Sequence, residues 1–144
     1  MGRVFMEPLD SPFLTADVII ESLKDEADAI IVDFHAEATA EKIAMGHYLD
    51  GRVACVLGTH THVQTADERI LPGGTAYITD AGMCGARDGV IGMDREQVYR
   101  RLVEQLPARF EIADGPTILN GIKLELDRLS GRAKKIERIF EIDD

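Results

Sequence analysis

VACVLGTHTHVQTAD, residues 53–67, is the stretch of this 144-residue chain that decides its fold. It begins with an apolar, strand-forming run that stops at Gly58, and two histidines, His60 and His62, follow at once. A short apolar run of this kind is typical of a strand buried on both faces of a sheet. In open α/β sheets, ligands bind at the carboxyl ends of such strands. The histidine pair therefore lies where a binding site is expected.

Helix and strand patterns alternate on both sides of this stretch. Three helices are predicted. The first runs from a Thr15 cap to about Asp28, and the second is AEKIAMGHYL after a Thr39 cap. The third follows an Asp94–Gln97 capping box, and its packed face consists of Val98, Leu102, Val103 and Leu106. The predicted strands are AIIVDF (29–34) leading into His35, RVACVL (52–57), and TAYITD (75–80) ending at Asp80.

The pattern changes after Pro107, where strand-like segments follow one another. They are ARFEI (108–112), TILNGIKLELD (117–127) and AKKIERIFEI (133–142). The last two are joined through Ser130-Gly131, which predicts an antiparallel hairpin. With no repeat and no clear linker, the sequence predicts one α/β domain over residues 1–144, with a mixed sheet and a C-terminal antiparallel hairpin.

Composition narrows the class of partner. Sixteen Lys and Arg against 26 Asp and Glu give a net charge of −10, which argues against duplex nucleic acid or an anionic membrane as a partner. The negative net charge does not exclude a small anionic substrate, because a bound cation reverses the local electrostatic field. No apolar run reaches the roughly 18 residues of a membrane span, MGRVFMEPLD does not read as a signal peptide, and two cysteines are too few for a disulfide framework. We expect a cytoplasmic protein.

The candidate ligands are His35, His60 and His62. Imidazole is the commonest metal ligand near neutral pH, and a His-x-His pair in extended backbone points both rings to one side, toward one metal or two. A lone histidine after a strand is usually a loop or cap residue, but two histidines in one pentapeptide with a third behind another strand favour a metal site. His47, inside a predicted helix, has no such support.

Other polar residues at the strand ends have two interpretations each. Asp33 either accepts an imidazole N–H or is a solvated strand residue, and the second is favoured; Glu37 and Asp80 are undecided. Cys84 is either a soft ligand or an inert loop thiol. The chain contains neither a nucleotide-binding glycine motif nor a G-x-S-x-G elbow, so metal-assisted chemistry remains.

Longer strings carry a family resemblance. GTHTH (58–62) resembles the G-H-x-H signature of calcineurin-like metallophosphoesterases with one residue inserted. VDFHAEATAEK, DGRVACVLGTHTHVQTADERILPGGTAYITDAGM and GVIGMDRE are similar to the YmdB-type bacterial branch, whose activity is that of 2′,3′-cyclic-nucleotide 2′-phosphodiesterases. The resemblance runs from about Gly2 to the C-terminus.

This resemblance implies a dinuclear site in a four-layer α–β–β–α sandwich, acting on a cyclic nucleotide or similar small phosphodiester. His35 and His60 would bind one divalent metal and His62 the other. Iron or manganese is the expected metal, with zinc or magnesium as alternatives.

The chain departs from the family in length. Family members are nearly twice as long, and their first half carries further metal ligands and the histidine that protonates the leaving group. This sequence thus resembles the C-terminal half, and no catalytic acid is assigned in it. Cys84 also stands where relatives usually show threonine. We expect weak, single-metal binding by this half alone, and either homo-oligomerisation or docking with the missing N-terminal half.

Three functions compete on this basis. In the first, the chain supplies half of a dinuclear phosphodiesterase site. In the second, it is a catalytically inactive half that binds only metal or a partner. In the third, ranked last, it is a mononuclear zinc hydrolase that uses His35, His60 and His62 with a water in the fourth position.

Overall fold

The computed structural model of the protein describes residues 1–7 and 9–144. The helices are α1 (Pro12–Leu23), α2 (Thr39–Tyr48) and α3 (Arg95–Leu102). The strands are β1 (Ile31–His35), β2 (Cys55–Thr59), β3 (Arg69–Ile70), β4 (Ala76–Ile78), β5 (Cys84–Ala86), β6 (Thr117–Leu126) and β7 (Ala133–Asp143). None of the helices in this described part of the chain has the length and apolarity that a membrane crossing requires.

The strands form two sheets. The first has the order β1-β2-β4-β3, in which β1, β2 and β4 are parallel and β3 is antiparallel. The second has the order β5-β6-β7 and is antiparallel throughout. The predicted α/β class, the mixed sheet and the C-terminal hairpin are confirmed. The hairpin forms a second sheet with β5, a strand that the sequence patterns did not predict.

Several predicted boundaries are wrong. Helix α1 begins at Pro12 rather than Thr15, because proline suits the first turn of a helix, and it ends at Leu23 in a turn. Thr15 instead donates its hydroxyl to the Ser11 carbonyl within that first turn. The segment ARFEI (108–112) is not a strand. It makes one isolated bridge between Ile112 and Met93.

The hydrophobic core lies between α2 and the centre of the mixed sheet. Its buried members are Phe34, Ala36, Met45, Leu49, Val53, Val56, Leu71 and Tyr77. Gly46 in α2 faces the Tyr77 ring so closely that a Cβ there would lie 2.5 Å from a ring carbon. The close approach of helix and sheet therefore explains a glycine inside a helix.

Helix α3 contributes little to this core. Asp94 caps it as predicted, by accepting a hydrogen bond from the Gln97 amide at 3.2 Å, but the Gln97 side chain bonds Glu111 and so does not complete a capping box. Only Val98 of the predicted packed face is buried. Leu102, Val103 and Leu106 are 70%, 73% and 48% exposed. Val103 and Leu106 follow the end of α3 at Leu102 and so do not continue its face.

The two sheets are joined by polar contacts next to the histidine loop. The Gln64 side-chain amide donates to the carbonyls of Gly121 in β6 and Ile139 in β7, at 3.0 and 3.2 Å. Arg138 of β7 forms an ion pair with Glu68 at 2.9 Å. The loop after β2 is therefore attached to both sheets.

Candidate functional site

The parallel strands deliver their last residues to one edge of the mixed sheet. His35 ends β1 and lies opposite Thr59, the last residue of β2. His60 follows Thr59 directly, and Asp80 follows the end of neighbouring β4 by two residues. Convergence at the carboxyl edge is predicted for His35, His60, His62 and Asp80, and the parallel register brings His35, His60 and Asp80 there.

His35 and His60 are in direct contact. Their ring centroids are 4.9 Å apart with an interplanar angle of 79°, and His35 Nε2 lies 3.0 Å from His60 Nδ1. On its other side, His60 Nε2 lies 2.5 Å from a carboxylate oxygen of Glu37. Glu37, undecided in the sequence, thus orients the His60 ring so that Nδ1 faces His35.

A short hydrogen-bond chain orients His35 in a similar way. The Thr59 hydroxyl donates to Asp33 at 2.9 Å, and His35 Nδ1 lies 3.1 Å from the same hydroxyl oxygen. Since the single hydroxyl proton is used on Asp33, Thr59 accepts from Nδ1–H, and Nε2 is left with a free lone pair toward His60. Asp33 therefore does not contact the imidazole directly. It orients the Thr59 hydroxyl, which contacts the ring, and sequence reasoning did not select Thr59.

His62 lies apart from this pair. Its Nδ1 is 3.3 Å from the Ile91 carbonyl, and the ring borders a cavity of about 810 Å³ that includes Met83 and Asn120. The expectation of an extended His-x-His segment is wrong, because φ is +117° at His60 and +67° at His62. Strand β2 ends at Thr59, so no strand pairing holds this backbone extended.

The donors present fit part of a metal site. Two nitrogens bound to one ion at about 2.0–2.1 Å lie about 3 Å apart, which suits the 3.0 Å between His35 Nε2 and His60 Nδ1. Within residues 1–7 and 9–144, no three His, Cys, Asp or Glu side chains are grouped to hold a metal ion. The ligand role of His35, His60 and His62 therefore stays a prediction.

His47 and the two cysteines lie away from the histidine pair. His47 is exposed on α2, as its lack of sequence support suggested. Cys84 is an exposed free thiol on β5, with its sulfur 3.5 Å from the Asn120 carbonyl. Cys55 is buried in β2, and burial raises the pKa of its thiol to about 11.

Lys42 is a second residue, after Thr59, that sequence reasoning missed. Its side chain is 1% exposed and forms an ion pair at 2.9 Å with Asp80, which is also 1% exposed. Burial alone would raise the pKa of Asp80, but hydrogen bonds from Lys42 and Thr61 outweigh it and leave the pKa below its ordinary value. One signal was present: Lys42 lies three and seven residues before Met45 and Leu49, on the apolar stripe of α2.

Asp67 fastens the loop after the histidines to the end of β4. Its carboxylate accepts from the hydroxyls of Thr65 and Thr79 and from the Thr79 amide. Burial alone would raise its pKa, but these hydrogen bonds outweigh burial, and the pKa lies below the usual value of 3.8. A lowered pKa in the folded state stabilises the fold above the ordinary carboxyl value, and this contribution is lost as pH falls through the folded pKa.

We expect Asp67→Asn to lower the free energy of unfolding by about 1–2 kcal/mol at pH 7, because charge-assisted hydrogen bonds are lost. The difference from the wild type should shrink as pH falls from 3.8 through the lower pKa of the folded carboxyl, below which the wild-type side chain is also neutral. Urea unfolding at several pH values measures this. A difference that stays constant down to acid pH would contradict it.

Comparisons with known proteins agree with this architecture. The model of the YmdB-like protein family matches residues 1–139. The chain is 55% identical over 143 residues to a Bacillus subtilis (strain 168) protein named 2′,3′-cyclic-nucleotide 2′-phosphodiesterase, and the match covers 99% of this chain and 54% of that protein.

Two crystal structures share the fold at 42% sequence identity. One, of a hypothetical protein from Thermus thermophilus, gives a TM-score of 0.92 over 100% of this chain and 56% of the other. The second, described as a novel phosphatase from Mycoplasma pneumoniae, gives 0.85 over 95% of this chain and 50% of the other. The chain thus spans about half the length of the relatives it matches.

Proposed function

Because the chain belongs to the YmdB-like family, we propose that it supplies the histidine ligands of a metal-dependent phosphodiesterase. The proposed substrate is a small phosphodiester such as a 2′,3′-cyclic nucleotide, the substrate class in the name of the Bacillus subtilis relative. The observation that carries the proposal is the 3.0 Å approach of His35 Nε2 to His60 Nδ1 at the carboxyl edge of the sheet.

Each histidine has a proposed place in a dinuclear site. His35 and His60 share one metal ion, and His62, which borders the neighbouring cavity, serves the second. Bound metal ions would lower the pKa of a water and neutralise charge on the phosphate, and iron or manganese is the proposed metal, with zinc or magnesium as alternatives. Glu37 holds the His60 ring and Thr59 holds the His35 ring in position for binding.

The rest of the site is proposed to come from the half of the relatives that lies outside the matched region. Strand β1 is at the edge of the mixed sheet, and α1 beside it leaves Leu14, Val18 and Ile19 65%, 72% and 51% exposed. A second half, or a second copy of the chain, would cover such a face. With it, the two sheets would form the inner layers of a four-layer α–β–β–α sandwich.

The test is a chimera in which this chain replaces the matching half of the Bacillus subtilis relative. The chimera is expected to hydrolyse a chromogenic phosphodiester in the presence of Mn²⁺. We expect His60→Ala to lower kcat/KM by about 100-fold or more, because a catalytic metal contributes several kcal/mol. His47→Ala, a histidine on the exposed side of α2, is the matched control and should leave the rate unchanged. Equal activity of the His60→Ala and wild-type chimeras would refute the proposal.

A non-catalytic role is the second candidate. It is favoured by the presence of two, rather than three, grouped metal donors in residues 1–7 and 9–144. In that case the 144-residue chain would retain Mn²⁺ after desalting, and a chimera of full length would hydrolyse nothing.

A further inference from the structure

A buried ion pair lies directly beneath the histidine loop. Lys42 comes from α2 and Asp80 follows β4, and both side chains are 1% exposed. A buried pair of charges is costly to desolvate, and replacing it by apolar residues often leaves stability unchanged or increases it. Its presence therefore calls for a role other than stability.

The pair binds the backbone on both sides of His60. Lys42 Nζ donates to the Thr59 carbonyl at 3.3 Å, and Asp80 Oδ2 accepts the Thr61 amide at 3.0 Å. The second carboxylate oxygen of Asp80 accepts the Gly82 amide at 3.0 Å. The residue before His60 and the residue after it are thus both held by a single ion pair.

The backbone between these two anchors is strained. His60 has φ of +117°, a conformation that residues with a Cβ rarely adopt and that costs of order 1–3 kcal/mol. Such a conformation persists only where the surroundings enforce it. In this conformation the His60 ring reaches both His35 and Glu37.

We propose that Lys42 and Asp80 are positioning residues, which hold the strained backbone of His60 so that its imidazole meets His35. The expected effect on metal binding rests on the proposed function. The His35–His60 contact is present without a metal ion and can be tested on its own. The ion pair acts from below the sheet edge and touches neither imidazole. Its effect passes through the Thr59 carbonyl and the Thr61 amide.

The decisive variant is the double substitution Lys42→Met/Asp80→Asn. It removes both charges together, so neither is left unpaired in the interior. Asparagine keeps one acceptor oxygen in place of two, so its NH₂ group faces either the Thr61 or the Gly82 amide, donor against donor. The matched control is Lys134→Met/Asp127→Asn, which makes the same changes in a lysine–aspartate pair of the hairpin, 55% and 30% exposed.

Two readouts separate this inference from the proposed function. The first is the nuclear Overhauser effect between the ring protons of His35 and His60 in the metal-free protein. The second is the affinity for Mn²⁺, measured by calorimetric titration. Circular dichroism establishes that each variant is folded.

We expect the double variant to lose the ring-to-ring signal and to bind Mn²⁺ about 10- to 100-fold more weakly, the usual effect of removing groups that orient a metal ligand. The control should keep both properties. A folded Lys42→Met/Asp80→Asn protein that keeps the signal would overturn the inference. If the wild-type chain binds no Mn²⁺, the proposed function loses its support, and the ring-to-ring signal still decides the inference.

If the double variant does not fold, hydrogen exchange of backbone amides in the wild type tests whether the ion pair holds the loop. The Thr61 amide, bonded to a buried carboxylate, should exchange at least about 10-fold more slowly than the amide of exposed Val63 two residues on. Equal exchange at these two positions would show that the ion pair does not hold the loop.

Discussion

Gly58→Ala is expected to lower the free energy of unfolding by about 3 kcal/mol or more, the upper range for overpacking a buried site. Gly58 lies in β2, where an added Cβ would stand 1.9 Å from the Thr79 carbonyl oxygen and 2.5 Å from Cδ of Lys42. The carbonyl belongs to backbone beside β4 and cannot rotate away. Lys42 is equally constrained, because its ammonium group is fixed on Asp80.

The effect should extend to the histidine loop. A methyl group at Gly58 displaces the Lys42 stem, and the ion pair that holds Thr59 and Thr61 moves with it. Chemical denaturation gives the stability change, and the ring contact between His35 and His60 reports the local one. We expect the variant to have a lower free energy of unfolding and a weaker or absent contact between the two rings.

Gly121→Ala is the matched control. Gly121 is also a strand glycine, in β6, but nothing lies within 4 Å of the position its Cβ would take. Alanine restricts the unfolded chain more than glycine, so this variant should be as stable as the wild type or more stable by about 0.5 kcal/mol. A loss at Gly121 equal to that at Gly58 would mean that strand glycines are needed here for backbone freedom and not for space.

The sequence predicted the parts of the fold that depend on local pattern. Strands β1, β2 and β4 were found from short apolar runs, and the edge at which His35 and His60 meet follows from their parallel pairing. The two-residue β3 and three-residue β5 were missed, because such short strands exist only through the partners they pair with. A period-two pattern cannot develop over so few residues.

The site was predictable in its candidate ligands but not in the groups that orient them. Two histidines behind one strand stand out in the sequence, whereas Thr59 and Glu37 acquire their roles only through contacts made after folding. Lys42 was hidden for a different reason. A lysine in an amphipathic helix normally faces water, and only its position on the apolar stripe distinguished it.

Helix α3 shows where pattern reasoning failed. Leu102 was assigned to a packed face from helical periodicity, which states only that apolar residues share a side. Whether that side is covered depends on elements elsewhere, and in the structure Leu102 is 70% exposed. Leu49, at the end of α2, has no exposed surface and lies in the core with Met45 and Tyr77.

Leu49→Ala is therefore expected to lower the free energy of unfolding by about 2–5 kcal/mol, the range for leucine truncation in a packed interior. Leu102→Ala, the same substitution on the exposed side of α3, should stay within about 0.5 kcal/mol of the wild type. Urea unfolding of both variants in parallel measures the contrast. Comparable losses would show that a partner covers α3 in solution, since only burial makes a leucine side chain contribute that much.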